Sequence, residues 1–217
     1  MQKYRPILII GFVLAVTVAG LFFLLRARPN GEFAATKTQS TTEDKIPEGV
    51  VVTLEEFGDY QCPPCGGLHP SLKKMKQEFS ANLNFVFRNL PLTTLHKNAL
   101  TAAQAAEAAR MQSRFWEMHD LLYENQDLWK DDINPKSIFV KFAEDLGLDT
   151  ARFARDMDDK QVNLRIEADR SAAAELGIDS TPTLLIDGRK LLPEVTNPDG
   201  IRKGIEFTLS RKKPSPS

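Results

Sequence analysis

The only two cysteines in the chain, Cys62 and Cys65, are separated by two prolines and stand where one hydrophobic period gives way to another. Upstream, Val50-Val51-Val52-Thr53-Leu54-Glu55-Glu56-Phe57 is β-branched and largely apolar, the pattern of a buried strand, and Gly58-Asp59 breaks it. Downstream, from Pro63 to Phe79, Leu68, Leu72, Met75 and Phe79 recur at three or four residues, the helical spacing. Asn82 to Arg88 returns to a period of two, with Leu83, Phe85 and Phe87 on one face. A strand–helix–strand run of this kind predicts a parallel pair joined by a right-handed crossover. It puts the cysteines on the strand-to-helix turn.

The middle of the chain is helical. Ala99 to Met111 is alanine-rich, and Phe115 to Tyr123 carries Phe115, Trp116, Met118, Leu121 and Leu122. Asn134-Pro135 opens a further helix, Ser137 to Leu146, ended by Gly147; Asp149-Thr150 caps another, with Phe153 and Met157 inward. Val162 to Leu176 stops at Gly177, a C-terminal cap. Strands return at Thr183 to Ile186 and Lys190 to Leu192 around Asp187-Gly188, a hairpin signal. Pro198 to Ser210 forms a last helix. The fold class is therefore α/β. A first sheet segment (48–94) is followed by a helical insertion (95–177) and a second sheet segment (178–210), with a disordered tail at 211–217.

The N-terminal region has a different composition. Ile7 to Leu25 holds no charged residue, and a bilayer core needs about 20 apolar residues as helix. A cleaved signal peptide would have a shorter apolar core and a small-x-small cleavage site. Thr17-Val18-Ala19 would leave Leu21 to Leu25 after the cut, and sites near Ala34-Ala35 have Glu32 or Phe33 at the critical position. The favoured reading is an uncleaved transmembrane helix at 7–25, after a cytoplasmic stub at 1–6. Lys3 and Arg5 before it balance Arg26 and Arg28 after it, so flanking charge alone does not orient it. The polar stretch 26–47 reads as a flexible linker, spanning on the order of 25 Å as a coil. With 28 Lys+Arg against 29 Asp+Glu, a nucleic-acid binder is not expected.

A Cys-x-x-Cys pair serves a metal, a structural disulfide or redox exchange. Structural zinc takes four ligands, and the histidines are His69, His96 and His119, of which only His69 is near the pair. A disulfide across two residues closes so small a loop that it removes little unfolded-state entropy. Redox exchange fits best. Pro63 occupies the first helical turn, where its missing N–H costs nothing, so Cys62 lies at the helix N-terminus. Unpaired amides and the helix dipole there favour its thiolate and draw its pKa below the free value of about 8.5. Cys65 lies one turn on, facing inward. The β-strand alternation puts Leu54 and Glu56 on one buried face, where a carboxyl has a raised pKa; the alternative places Glu55 inward.

These residues resemble the thioredoxin superfamily. Phe57-Gly58-Asp59-Tyr60-Gln61-Cys62-Pro63-Pro64-Cys65, Pro70, the helical block and Thr181-Pro182 before a strand carry the likeness. The insertion, with Arg88-Asn89-Leu90-Pro91-Leu92, Ala102 to Ala109 and Phe115 to Tyr123, is similar to DsbA-like thiol-disulfide oxidoreductases over about Val50 to Ser210. The resemblance implies a thioredoxin fold with an inserted helical domain. It implies that Cys62 is the attacking cysteine and Cys65 its buried partner. Pro182 would be a cis-proline holding substrate backbone, with Thr181 before it as the residue that tunes redox properties, and Pro63 and Pro64 would border the substrate. Glu56 would be the buried acid relaying the Cys65 proton. His119 is expected to pack the insertion, His69 to be exposed, and Phe115 and Trp116 to be core.

An oxidising role is useful only outside the cytosol, which places the domain in the periplasm or extracytoplasmic space on an inner-membrane anchor. The expected partners are exported proteins with free cysteines and a quinone-linked reoxidant of the DsbB or VKOR type. A monomer is expected, with no cofactor and no bound metal. Pro63-Pro64 differs from the Pro-His of the strongest oxidants, so a less extreme potential is expected. The alternatives are a thiol reductase, for example in cytochrome c maturation, and a metal-binding chaperone.

Overall fold

The computed structural model describes residues 52–212. The expected stub, transmembrane helix and linker at 1–47, and positions 213–217 of the tail, lie outside the described residues. Among the described residues no helix is long and apolar enough to cross a membrane.

Four strands form one sheet in the order β2-β1-β3-β4. The central strand β1 (Val52–Gly58) pairs in parallel with β2 (Leu83–Asn89), from Val52 opposite Leu83 to Gly58 opposite Asn89. Helix α1 (Pro63–Glu78) is the crossover between them. On its other edge β1 pairs antiparallel with β3 (Thr183–Ile186), which pairs with the short β4 (Arg189–Lys190). At the hairpin between them both Asp187 (φ 47°) and Gly188 (φ 76°) are left-handed, as a two-residue turn matching strand twist requires.

Between β2 and β3 lie α2 (Ala99–Arg110), α3 (Phe115–Glu124), the one-turn α4 (Gln126–Trp129), α5 (Pro135–Asp145), α6 (Thr150–Asp156) and α7 (Lys160–Glu175). After β4 come a 3-10 turn (Pro193–Val195) and α8 (Pro198–Lys212). Gly147 (φ 70°) and Gly177 (φ 62°) follow the helices they were expected to end. The Asp149 side chain accepts from Arg152 N at the start of α6.

The sheet is covered on both faces. Val52, Leu54, Leu83, Phe85, Leu184 and Ile186 pack with residues of α1 and α8. Phe57 and Leu185 pack with Ala173 of α7 on the other side. Burial alternates along β1 from Val52 to Glu56 and becomes continuous at Glu56–Gly58, where both faces are covered. In α2 the alanines at 99, 102, 103, 105, 106, 108 and 109 are all buried. The helix is hydrophobic nearly all round because other helices surround it. Its one buried acid, Glu107, accepts from Asn89 Nδ2 at 2.8 Å and Arg110 Nε at 2.8 Å. Asp169 of α7 accepts from Asn89 N at 2.9 Å and Arg88 at 3.2 Å. The insertion is thus fastened to the end of β2.

Three expectations are corrected. Helix α4 and the 3-10 turn were not foreseen, because each is too short for a hydrophobic period to register. The final strand was expected over Lys190 to Leu192 but pairs only at Arg189–Lys190. The tail was expected to be disordered from 211, yet α8 includes Arg211 and Lys212; Lys212 Nζ lies 2.6 Å from Asp187 Oδ2 and ties the helix end to the hairpin.

Gly58, at the end of β1, is a place where packing demands glycine. A Cβ there would overlap the edge of the Phe87 ring and stand 3.0 Å from Tyr123 Oη. Gly58→Ala is expected to destabilise the domain by about 1–3 kcal/mol through overpacking, read as a lower urea midpoint at unchanged m-value.

Candidate functional site

The end of β1 and the start of α1 hold Cys62 in place. Cys62 is the N-cap of α1 with extended backbone (φ −70°, ψ 121°), and Pro63 follows it. Its N–H donates to Asp59 O at 3.0 Å, and its carbonyl accepts from Gly66 N at 3.1 Å. Its Sγ donates to Thr181 O at 3.4 Å across the turn before β3. The pair is in the dithiol form. The Cys62 pKa falls from 9.0 to about 6. A hydrogen bond from the Cys65 thiol does most of this, helped by the Cys65 backbone N–H, while burial and the Asp59 charge oppose it. Cys65 is fully buried, and its thiol is pushed well above the ordinary range, first by burial, then by its bond to Cys62 and by Glu56. The two thiols therefore have opposite roles: Cys62 is a thiolate at neutral pH and Cys65 keeps its proton.

Glu56 is 2% exposed, and its Oε1 has no hydrogen-bond partner. Burial, then the Cys62 charge, raises its pKa to about 8. It is a carboxylic acid rather than a carboxylate at pH 7, and so can hold or release a proton beneath the pair. Glu55 points to the other face and pairs with Arg88 Nε at 2.6 Å.

Several residues that hold the turn were not singled out from the sequence. Asp59, 1% exposed, accepts from Gln61 N (2.7 Å), Leu92 N (2.9 Å) and His96 Nδ1 (2.8 Å). Gln61 donates to Lys130 O at 2.6 Å and accepts from Asn98 N at 2.7 Å. Gln126 donates to Tyr60 O at 2.7 Å and Cys62 O at 3.1 Å. The clue in the sequence was two polar residues, Asp59 and Gln61, inside an otherwise apolar approach to Cys62. Their partners beyond the turn lie 33 or more positions away and leave no local signal.

Aromatic rings pack under the motif. Tyr60 Oη lies 3.1 Å from His119 Nδ1, and Tyr60, Phe87, Tyr123 and His119 meet ring to ring. His119 is buried among them. His69, expected to be exposed, is 4% exposed and stacks on Tyr123 at 5.1 Å. The correction has a simple cause: His69 is on the face of α1 that α3 covers, next to Leu68 and Leu72. Phe115 is core, while Trp116 is half-buried with Lys76 Nζ over its ring at 3.2 Å.

The Thr181–Pro182 peptide bond is cis. The Thr181 hydroxyl is buried with no hydrogen-bond partner. Beside it opens a groove of about 470 Å³, whose walls include Pro64, Leu68, Pro182, Leu191 and Pro198. Pro63 and Pro64 are exposed, and Pro64 reaches the groove wall. Cys62, Cys65, Glu56, Thr181 and Pro182 thus come together from β1, α1 and the start of β3. Among the described residues the cysteines belong to no grouping with metal-ligand spacing; the one that exists is His69, His119 and Asp120.

A family model described as thioredoxin matches residues 50–206. The Na(+)/H(+) antiporter NhaA 1 of Salinispora arenicola is 39% identical over 144 residues, which are 66% of this chain and 21% of the antiporter. NhaA of Herminiimonas arsenicoxydans is 33% identical over 145 residues, 67% of this chain and 22% of its own. The chain spans about a fifth of the length of the curated relatives it matches. Among solved structures, a thioredoxin-like oxidoreductase from Silicibacter pomeroyi aligns with TM-score 0.59 at 25% identity, covering 73% of this chain and 88% of that one. Oxidised BdbD from Bacillus subtilis aligns with TM-score 0.66 at 24% identity, covering 77% and 90%. The thiol-disulfide exchange protein alpha-DsbA2 from Wolbachia pipientis aligns with TM-score 0.63 at 21% identity, covering 76% and 88%.

Two pH dependences follow. In the reduced protein, thiolate absorbance is expected to rise with a single midpoint near pH 6 from Cys62, with Cys65 silent through the ordinary thiol range. Glu56 binds its proton more tightly folded (about 8) than unfolded (4.5). Its contribution to stability is thus full below pH 4.5 and is lost as pH rises toward 8, on the order of 3–5 kcal/mol. Chemical unfolding at stepped pH should show this loss, and Glu56→Gln should flatten it.

Proposed function

This chain belongs to the thioredoxin family, and on that premise we propose that it is a membrane-tethered, extracytoplasmic thiol-disulfide oxidoreductase that oxidises dithiols of exported proteins. One observation carries the reading: a thiolate-prone Cys62 at a helix N-terminus, with its pKa lowered to about 6, directly partnered with a buried, protonated Cys65. A pair kept as a structural staple has no use for this asymmetry. The DsbA-type fold of the neighbours supports the class of reaction. The uncharged stretch Ile7 to Leu25, of membrane-spanning length, supports a place at the membrane.

The chemistry runs through the oxidised pair. A substrate thiolate attacks Cys62 Sγ; the Cys62–Cys65 bond breaks as the mixed disulfide forms, and Cys65 leaves as a thiolate. Because its thiol form is strongly favoured, Cys65 takes up a proton, for which the neutral Glu56 is the buried source. Substrate backbone lies along Thr181-Pro182 and the groove beside Pro64. A second substrate thiol then attacks the substrate sulfur of the mixed disulfide and expels Cys62, a good leaving group because its thiolate is stable. The substrate has lost two electrons and two protons; the enzyme holds both electrons, as the Cys62 thiolate and the Cys65 thiol, and one proton once Glu56 is replenished, while the other proton goes to solvent. A quinone-linked membrane protein of the DsbB or VKOR type would take the electrons on.

The direction of flow rests on the Cys62 pKa. A value of about 6 falls between thioredoxin at about 7 and DsbA at about 3.5, which suits an oxidant of intermediate strength. It also leaves a thiol reductase as the second reading. The reduction potential decides between them: a value toward about −120 mV supports the oxidant, and one toward about −270 mV the reductant. Cys62→Ser should abolish turnover, and Cys65→Ser should accumulate mixed disulfides visible on non-reducing gels. Equal loss without trapping would overturn the assigned roles. Glu56→Gln should slow formation of the mixed disulfide, the step in which Cys65 is expelled and protonated, more than its release in stopped-flow measurements.

A further inference from the structure

A second pocket, of about 280 Å³, opens between α1 and α3, with His69, Lys73, Phe85, Trp116, His119 and Asp120 in its walls. The thiol chemistry uses none of them. His69 is 4% exposed, and its Nε2 is buried without a hydrogen-bond partner. An imidazole nitrogen shut away in this manner has lost its water without gaining a partner. The nearest polar atom is Asp120 Oδ1 at 3.4 Å, without the alignment of a hydrogen bond. One donor atom from each of His69, His119 and Asp120 lies within 4.8 Å of the other two.

We propose that His69, His119 and Asp120 form a binding site for a divalent transition-metal ion, best matched by Zn²⁺, at the crossing of α1 and α3. Two imidazole nitrogens and a carboxylate oxygen are a donor set zinc takes at about 2.0–2.2 Å, and a tetrahedral sphere of that size sets donors about 3.3 Å apart. The His69–Asp120 separation of 3.4 Å already meets this. All three donor atoms lie within 4.8 Å of one another, so an ion would draw them in by no more than about 1.5 Å. The fourth position faces the open pocket. His119 and Asp120 follow Trp116 by three and four positions and so share a face of α3, and the packing of α1 against that face brings His69 to them.

The surroundings suit the ion. His119 Nδ1 is engaged with Tyr60 Oη at 3.1 Å, leaving Nε2 as its free nitrogen; an outer hydrogen bond of this type orients metal-bound histidines. Asp120 Oδ2 pairs with Lys73 Nζ at 2.8 Å, and Lys73 also pairs with Glu124 at 2.7 Å. Oδ1 is left for the ion, while Lys73, with Lys76 in the same wall, opposes it by charge. An ion here would cross-link the helix that carries the cysteines to the insertion without contacting either thiol.

The test uses the full chain with Cys62→Ser and Cys65→Ser, so that no thiolate competes. Zn²⁺ is titrated against a chromophoric chelator, and thermal unfolding is followed with and without the ion. One equivalent should bind and raise the melting temperature. Asp120→Asn and His69→Gln should each weaken binding by at least about 10–100-fold, and Lys73→Met should tighten it several-fold. Absence of one-equivalent binding, affinity unchanged by Asp120→Asn, or failure of Lys73→Met to tighten it would overturn the site. The Asp120 side chain is 28% exposed, so Asp120→Asn tests the site even if His69→Gln does not fold.

Discussion

Both carboxylate oxygens of Asp59 are taken up in a space that water does not reach: Oδ1 by the amide of Gln61, and Oδ2 by the amide of Leu92 and the ring of His96. A carboxylate is tolerated at 1% exposure only when hydrogen bonds replace its hydration. These three bonds join the exit of β1, the exit of β2 and the approach to the insertion. Gln61, one residue before Cys62, extends the same knot to Asn98 and Lys130, and Gln126 closes it over the carbonyls of Tyr60 and Cys62. The insertion is therefore the outer wall of the turn that carries Cys62, and the backbone around that sulfur has little freedom to move.

A rigid turn makes the electrostatics specific. Two identical thiols, one helical turn apart, are driven in opposite directions: Cys62 down, because the Cys65 thiol and backbone N–H serve its thiolate, and Cys65 up, because it is buried beside an acid. Glu56 is held neutral by the same burial. The low-dielectric region that makes one thiol inert also makes the acid beneath it a proton store. Reactivity at one sulfur and protection at the other are thus two consequences of one packing arrangement.

Much of the architecture could be read along the chain. The parallel β1–β2 pair, the alanine-rich α2, the glycine stops at 147 and 177 and the Asp187-Gly188 hairpin all rest on short-range signals: hydrophobic period, caps and left-handed turns. The helix-terminal position of Cys62 came from the same source, because Pro63 marks the first turn. Helix α4 escaped this reading, although its first residue, Gln126, touches the motif, because one turn is too short for a period to show. His69 escaped it too. Its burial depends on α3, which begins 46 positions later, and a lone histidine does not announce which helix will cover it.

By itself the sequence determined the order of the longer strands and helices and the strand-to-helix setting of Cys62 and Cys65, because each depends on residues within a few positions of one another; it left open whether Glu55 or Glu56 faces inward. Tertiary structure alone decided which thiol is acidic, that Glu56 is neutral, that Thr181 meets Cys62 and that His69, His119 and Asp120 converge. Those properties depend on desolvation and on contacts between residues far apart in the chain, and neither exists until the insertion has closed over the sheet.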